Sequence, residues 1–164
     1  MYTPDDQDKV EILHDAPQPK STATDPVIMA QEDKLILAYY ETGPQGPSFG
    51  ADEVAMVWFK GVVSHMFGLP TDEVIGGHPL AGRGLEKYHV HRVENSSWLR
   101  AMEKVHSVHP KHDSERFLKG MNHYIFTFHN STFECLAESF RFKTHETHME
   151  AVRPRMLEEL QERD

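Results

Sequence analysis

The 164-residue chain carries 26 Asp and Glu against 17 Lys and Arg, for a net charge of −9, with one cysteine and twelve histidines. The acid excess sits at the two ends. Residues 1–33 hold eight acids and two bases, residues 158–164 hold four acids and one base, and the stretch between balances at fourteen of each. That pattern excludes the basic stripe a nucleic-acid backbone requires and disfavours an anionic membrane surface, while the single Cys135 excludes an internal disulfide.

No apolar run reaches transmembrane length, and no apolar leader opens the sequence, so a cytoplasmic protein is expected. Residues 1–33 contain Pro4, Pro17, Pro19 and Pro26 among acidic and hydroxyl side chains. This composition predicts a flexible acidic arm, with Val10–Leu13 as its one apolar patch. Residues 34–164 then form a single domain.

Lys34–Thr42 reads as a strand, and Gly43–Gly50 as a loop with two Gly/Pro breakers. Glu53–Leu69 fits either a helix capped by Asp52 or β-structure. Its β-branched and aromatic density favours a long strand, or two short ones bent at Gly61. Pro70–Glu73 is turn sequence. Gly76–Leu85 is a glycine-rich loop without phosphate-loop or dinucleotide signatures, and it presents His78 and Arg83 as candidate ligand-binding groups.

Glu86–Glu94 predicts a strand. A helix capped by Asn95 or Ser96 follows to about His106, and a shorter one capped by Asp113 is closed by Gly120. After the hairpin described next, Thr147 and Glu150 have capping-box spacing for a last helix interrupted or restarted at Pro154.

The clearest local signal is His123–Lys143. Tyr124, Phe126 and Phe128 alternate with His123, Ile125, Thr127 and His129, and Asn130-Ser131 is turn chemistry. A hairpin on that turn pairs Phe128 with Phe133, Phe126 with Cys135 and Tyr124 with Ala137. Its other face then sets His123 opposite Glu138 and Thr127 opposite Glu134. The apolar phase changes parity after Ala137, which predicts a β-bulge near Glu138-Ser139.

Eleven of the twelve histidines lie in the neutral stretch. His89 and His91 share one strand face and, with His129, are the candidate ligands of a divalent transition metal. His106, His109 and His112 are interrupted by Pro110, so they cannot share one helix face. His145-Glu-Thr-His148 is one residue short of the zinc spacing. Glu134 and His123 are the candidate acid–base pair, and Glu138 and Thr127 join His78 and Arg83 as candidate ligand contacts.

The expected fold is α+β: an antiparallel sheet of about five strands, curled or a small open barrel, with one or two helices packed on it. The leading functional expectation is a small-molecule-binding domain, in its fuller form a metal-assisted enzyme with a His/Glu-lined pocket. The alternative is a non-enzymatic interaction or homodimerising module whose histidines are structural or pH-responsive.

Overall fold

The computed structural model describes residues 2–23, 25–32, 34–43 and 52–162. In chain order the strands are β1 (Lys9–Ile12), β2 (Gln18–Pro19), β3 (Val27–Ala30), β4 (Leu35–Thr42), β5 (Glu53–Lys60), β6 (Ser64–Gly68), β7 (Val90–Glu94), β8 (Asn122–Thr127), β9 (Thr132–Ala137) and β10 (Ser139–Glu146). Among the described residues three helices, α1 (Ser97–His106), α2 (Ser114–Gly120) and α3 (Met149–Gln161), accompany a short 3-10 turn at Asp72–Gly77. All strand pairs are antiparallel, so the protein is α+β as expected. They form two sheets rather than one: β1-β7-β8-β9-β6, and β10-β5-β4 with both β2 and β3 on β4.

The sheets face each other across an aromatic core. Leu35, Leu37, Tyr39, Val57 and Phe59 from the second sheet meet Tyr124, Phe126, Phe133 and Cys135 from the first. Phe59, Phe126 and Phe133 pack with ring centroids 5.5–5.8 Å apart. Each such buried side chain contributes roughly 1.5–3 kcal/mol, so this inner layer dominates stability. A one-residue slip of β8 would send its aromatics to the opposite face, which is why the alternation was readable.

The two sheets are continuous at one corner. β5 turns into β6 at Gly61, whose φ of +63° suits glycine, and β9 turns into β10 at Glu138. A Cβ on Gly61 would lie 2.5 Å from the Glu138 side chain. The Val63 amide donates to the Leu136 carbonyl and the Glu138 amide to Lys60. The expected bulge at Glu138-Ser139 is therefore a strand crossing from one sheet to the other. The parity change has the same cause in both cases: the side chains must be re-aimed at a new core face.

The hairpin register also differs from expectation, by two residues. Phe126 pairs with Phe133, Tyr124 with Cys135 and His123 with Leu136, around a four-residue loop Phe128–Ser131. A two-residue shift preserves every face assignment. It is fixed from outside the hairpin, because the His129 carbonyl accepts from the Asp72 amide and Thr132 Oγ1 donates to the Pro70 carbonyl.

α3 lies on the outer face of the second sheet, burying Met149, Val152, Met156 and Leu160 against Ile36, Ala38, Val54 and Met56. It runs through Pro154 without a break. The Thr147–Glu150 capping box does not form: His148 is the cap residue, without a side-chain cap bond, and the Thr147 amide donates to the Asp52 carbonyl. The Gly/Pro loop expected at Gly43–Gly50 lies, beyond Gly43, outside the described residues.

The acidic arm expected over residues 1–33 contributes three strands where it is described. β1 adds to β7, while β2 and β3 add to β4. Composition argues against independent folding of this stretch, but existing sheet edges supply its hydrogen-bond partners. Gly84, at φ +103°, passes so close to β1 that a Cβ would lie 2.4 Å from the Val10 carbonyl oxygen. The glycine-rich loop is thereby closed down over the outer face of the first sheet.

Candidate functional site

The outer face of the first sheet carries the polar residues that alternate with the core aromatics. Three pieces of chain cover it: α1, the loop from His78 to Leu85, and the segment Tyr2–Asp8. Trp98 and Leu99 of α1 pack on Leu136, and Leu80 packs on Val10, Val93 and Ile125. Glu134 of β9 sits beneath this cover at 3% exposure, and His78 and His123 are equally closed off.

Glu134 accepts three hydrogen bonds. His78 Nε2 lies 2.7 Å from Oε1, His123 Nε2 lies 2.8 Å from Oε2, and the Tyr2 hydroxyl donates to Oε2 at 2.8 Å. The partner on the far side of the His78 ring assigns its tautomer. His78 Nδ1 accepts from the Leu80 amide at 3.0 Å, which leaves its proton on Nε2. Ser96 Oγ accepts from the Leu99 amide as the cap of α1 and lies 2.8 Å from His123 Nδ1. A carboxylate has no proton to give, so His123 too donates through Nε2, and the Ser96 hydroxyl is the partner of its Nδ1. The centre is one carboxylate held by three donors.

Burial by itself would raise the Glu134 pKa, but the bonds from His123 and His78 outweigh it and hold the group at about 2. Burial, and then the neighbouring Glu134 charge, push the Tyr2 phenol far above its ordinary value, so it keeps its proton. At neutral pH Glu134 is consequently a strong hydrogen-bond acceptor and a weak base.

Sequence reasoning thus paired Glu134 with His123 and singled out His78, and these three converge. The other candidates are placed elsewhere. Thr127 Oγ1 takes the His89 amide and donates to the Glu86 carbonyl, which ties β8 to the chain entering β7. Arg83 donates to the Asp5 carbonyl and Glu138 pairs with Lys60 at the sheet corner.

Among the candidate metal ligands, His91 has both ring nitrogens engaged. Nε2 accepts from the Glu86 amide at 3.1 Å and Nδ1 faces the Ile125 carbonyl at 3.3 Å. Burial lowers its pKa to about 4. His89 Nδ1 is bonded to the Lys87 carbonyl. Among the described residues no three His, Cys, Asp or Glu side chains are grouped so as to hold a metal ion.

His129 instead joins a second cluster. Its Nδ1 lies 2.7 Å from Asp72 Oδ2, which also accepts from the Tyr88 hydroxyl. The Tyr88 bond, followed by the His129 bond, holds Asp72 below the usual carboxylate range. Tyr88 adopts φ +59°, an outlier for a bulky residue. The carboxylate orients an imidazole whose side chain is 43% exposed. His106 and His112 also approach, with centroids 6.2 Å apart beside Phe117, because the turn at Pro110 folds the chain back. They line an open cleft of about 510 Å³.

Tyr2, Ser96 and Trp98 were not legible as site residues. Each is placed by contacts far away in sequence, and Tyr2 lies in a stretch whose composition signalled flexibility. No protein-family model matches the chain, and no curated protein or solved structure matches it either.

Proposed function

We propose that this is a small-molecule-binding domain whose recognition centre is Glu134, fixed by His78 and His123, on the outer face of the first sheet. One observation carries the reading: one of the three donors to this buried carboxylate is Tyr2, from a segment that belongs to no strand or helix. His78 from the covering loop and His123 from the neighbouring strand each fix one carboxylate oxygen, whereas Tyr2 occupies the position a ligand donor would take. A few convergent polar groups within apolar walls are the usual make-up of a small-molecule site.

Screening uncharged, donor-bearing small molecules by NMR tests this. Binders are expected to shift the Trp98 indole and the His78 and His123 ring signals, and to weaken at least ~10-fold in Glu134→Gln, as loss of a hydrogen bond to a charged group implies. A collection in which every binder ignores that substitution overturns the reading.

A second reading, a homodimerising module, is supported by the edge strand β6. Phe67 near its end and Leu69 and Val74 beyond it are 48%, 76% and 55% exposed, apolar side chains beside an edge that is unpaired among the described residues. Sedimentation equilibrium is then expected to give a dimer that Leu69→Glu converts to monomer. A monomer at all concentrations removes this reading.

A further inference from the structure

Building on Glu134 as the binding centre, we infer that Tyr2 is a built-in occupant of the ligand slot and that the competing ligand is an uncharged phenol. The slot is defined by rings. Tyr2 stacks on Trp98 with centroids 5.6 Å apart and planes 7° from parallel. It meets His123 edge-on at 5.4 Å and 88°. Trp98 and His123 are themselves perpendicular at 5.1 Å, so they form a rigid corner that accepts one flat ring. At the closed end stands Glu134 Oε2, which takes the Tyr2 hydroxyl.

The chemistry of that end selects the ligand. Oε2 already has the His123 donor, and its remaining acceptor capacity is satisfied by Tyr2 alone among the described residues. A ring without a donor would leave a buried carboxylate under-bonded, and a site built to bond a hydroxyl rejects the analogue that lacks it. An aryl carboxylate would set two anions against each other. A neutral phenol satisfies both demands, as the tyrosine does.

The occupant is also held loosely enough to exchange. Tyr2–Asp8 precedes β1, so lifting it breaks no sheet pairing. Two of its anchors are at the surface, Asp5 with Arg100 and the Asp5 carbonyl with Arg83, and the third joins the buried Asp8 at the end of the segment to the Ser97 amide. Segments held this way open locally at far lower cost than the whole domain. A ligand for the closed protein therefore binds with its affinity reduced by the fraction of molecules in which Tyr2 is out.

The test uses p-cresol, toluene and 4-methylbenzoate as probes on wild type, Tyr2→Ala and Tyr2→Phe. Tyr2→Ala is expected to bind p-cresol ~10-fold or more tighter than toluene, following the value of a hydrogen bond to a charged group, and to leave 4-methylbenzoate unbound. Tyr2→Phe keeps the packing, and is expected to bind p-cresol more tightly than wild type because its ring offers Glu134 nothing. In wild type, p-cresol is expected to bind more weakly than in either variant and to deprotect the amides of residues 2–8 against hydrogen exchange. Adding Glu134→Gln to Tyr2→Ala should abolish the preference over toluene.

Equal binding of p-cresol and toluene by Tyr2→Ala overturns the assignment, and so does p-cresol binding to wild type with residues 2–8 still protected. Should other compounds bind in a Glu134-dependent way while phenols fail, the binding centre stands and the phenol assignment falls. If nothing depends on Glu134, both fall.

Discussion

Glu134→Ala is expected to lower the unfolding free energy by about 4 kcal/mol, with a fall in melting temperature on the order of 10 °C for a domain of this size. The loss follows from what is left behind. The Nε2–H groups of His78 and His123 and the Tyr2 hydroxyl would each lose their acceptor, and an unsatisfied buried donor costs about 1–3 kcal/mol. Neither imidazole can turn to a new partner, because the Leu80 amide and Ser96 Oγ hold their other nitrogens. Tyr2 can lift into water, which keeps the total below the sum of three separate penalties.

Glu134→Gln retains the shape and one good acceptor, and about 2 kcal/mol is expected because its amide group then faces a donor. Urea unfolding monitored by tryptophan fluorescence measures both. A midpoint shift with an unchanged slope is the expected signature. A loss under about 1 kcal/mol in Glu134→Ala would mean that water reaches the donors and that the cover over this face is not closed.

Acidification provides the second large effect, through His91. Burial lowers its pKa from 6.5 to about 4 in the folded protein. Below pH 6.5 the unfolded chain takes up a proton that the folded one refuses until about pH 4, so the unfolded state is increasingly favoured as pH falls through that window. His91 therefore contributes stability that is complete above pH 6.5, and about 2 kcal/mol of it is lost between pH 7 and pH 5.

Glu134 acts in the same direction but lower down. Its stabilising contribution is present above its unfolded value of 4.5 and is lost as pH falls towards about 2, so the two windows separate. His91→Gln removes the imidazole while keeping an acceptor for the Glu86 amide. Its deficit relative to wild type at pH 7 is expected to shrink by about 2 kcal/mol at pH 5. A deficit that stays constant over that range would show that His91 is not held neutral by burial.

The centre at Glu134 was partly legible before any tertiary structure. Alternation in β8 and β9 placed His123, Glu134 and Thr127 on the face away from the aromatics, and that face assignment survives the two-residue change in register. Pairing was less legible. In a hairpin, parity is a local property of the pleat, whereas the exact partner depends on loop length, and here Asp72 and Pro70 set it from outside. The consequence is functional: the observed register puts Glu134 diagonal to His123 rather than across from Thr127, and diagonal neighbours are within reach of long side chains.

The histidine spacing was a weaker guide. His89 and His91 do share a strand face with ring centroids 6.2 Å apart, but backbone groups take up both nitrogens of His91. His129, placed with them on type alone, is instead oriented by Asp72, from a turn 57 residues away in sequence. Ligand-type residues mark where polar chemistry is possible, and hydrogen-bond competition decides what each one does.

By itself, the sequence determined the features that follow from short-range periodicity and steric choice. These are the α+β class, a strand within Lys34–Thr42, β-structure over Glu53–Leu69 with a bend at Gly61 as one of its two forms, a helix capped at Asn95 or Ser96 and another at Asp113, and the apolar face of the hairpin. The tertiary structure decided everything that required two distant segments to meet. It divided the strands between two sheets, drew residues 9–12 and 27–30 out of an apparently flexible arm onto open sheet edges, and brought Tyr2, His78, Ser96 and His123 together on Glu134. The reason is energetic: a buried carboxylate must be satisfied by whichever donors the packing of the covering layer delivers, and no local pattern in the chain records which ones arrive.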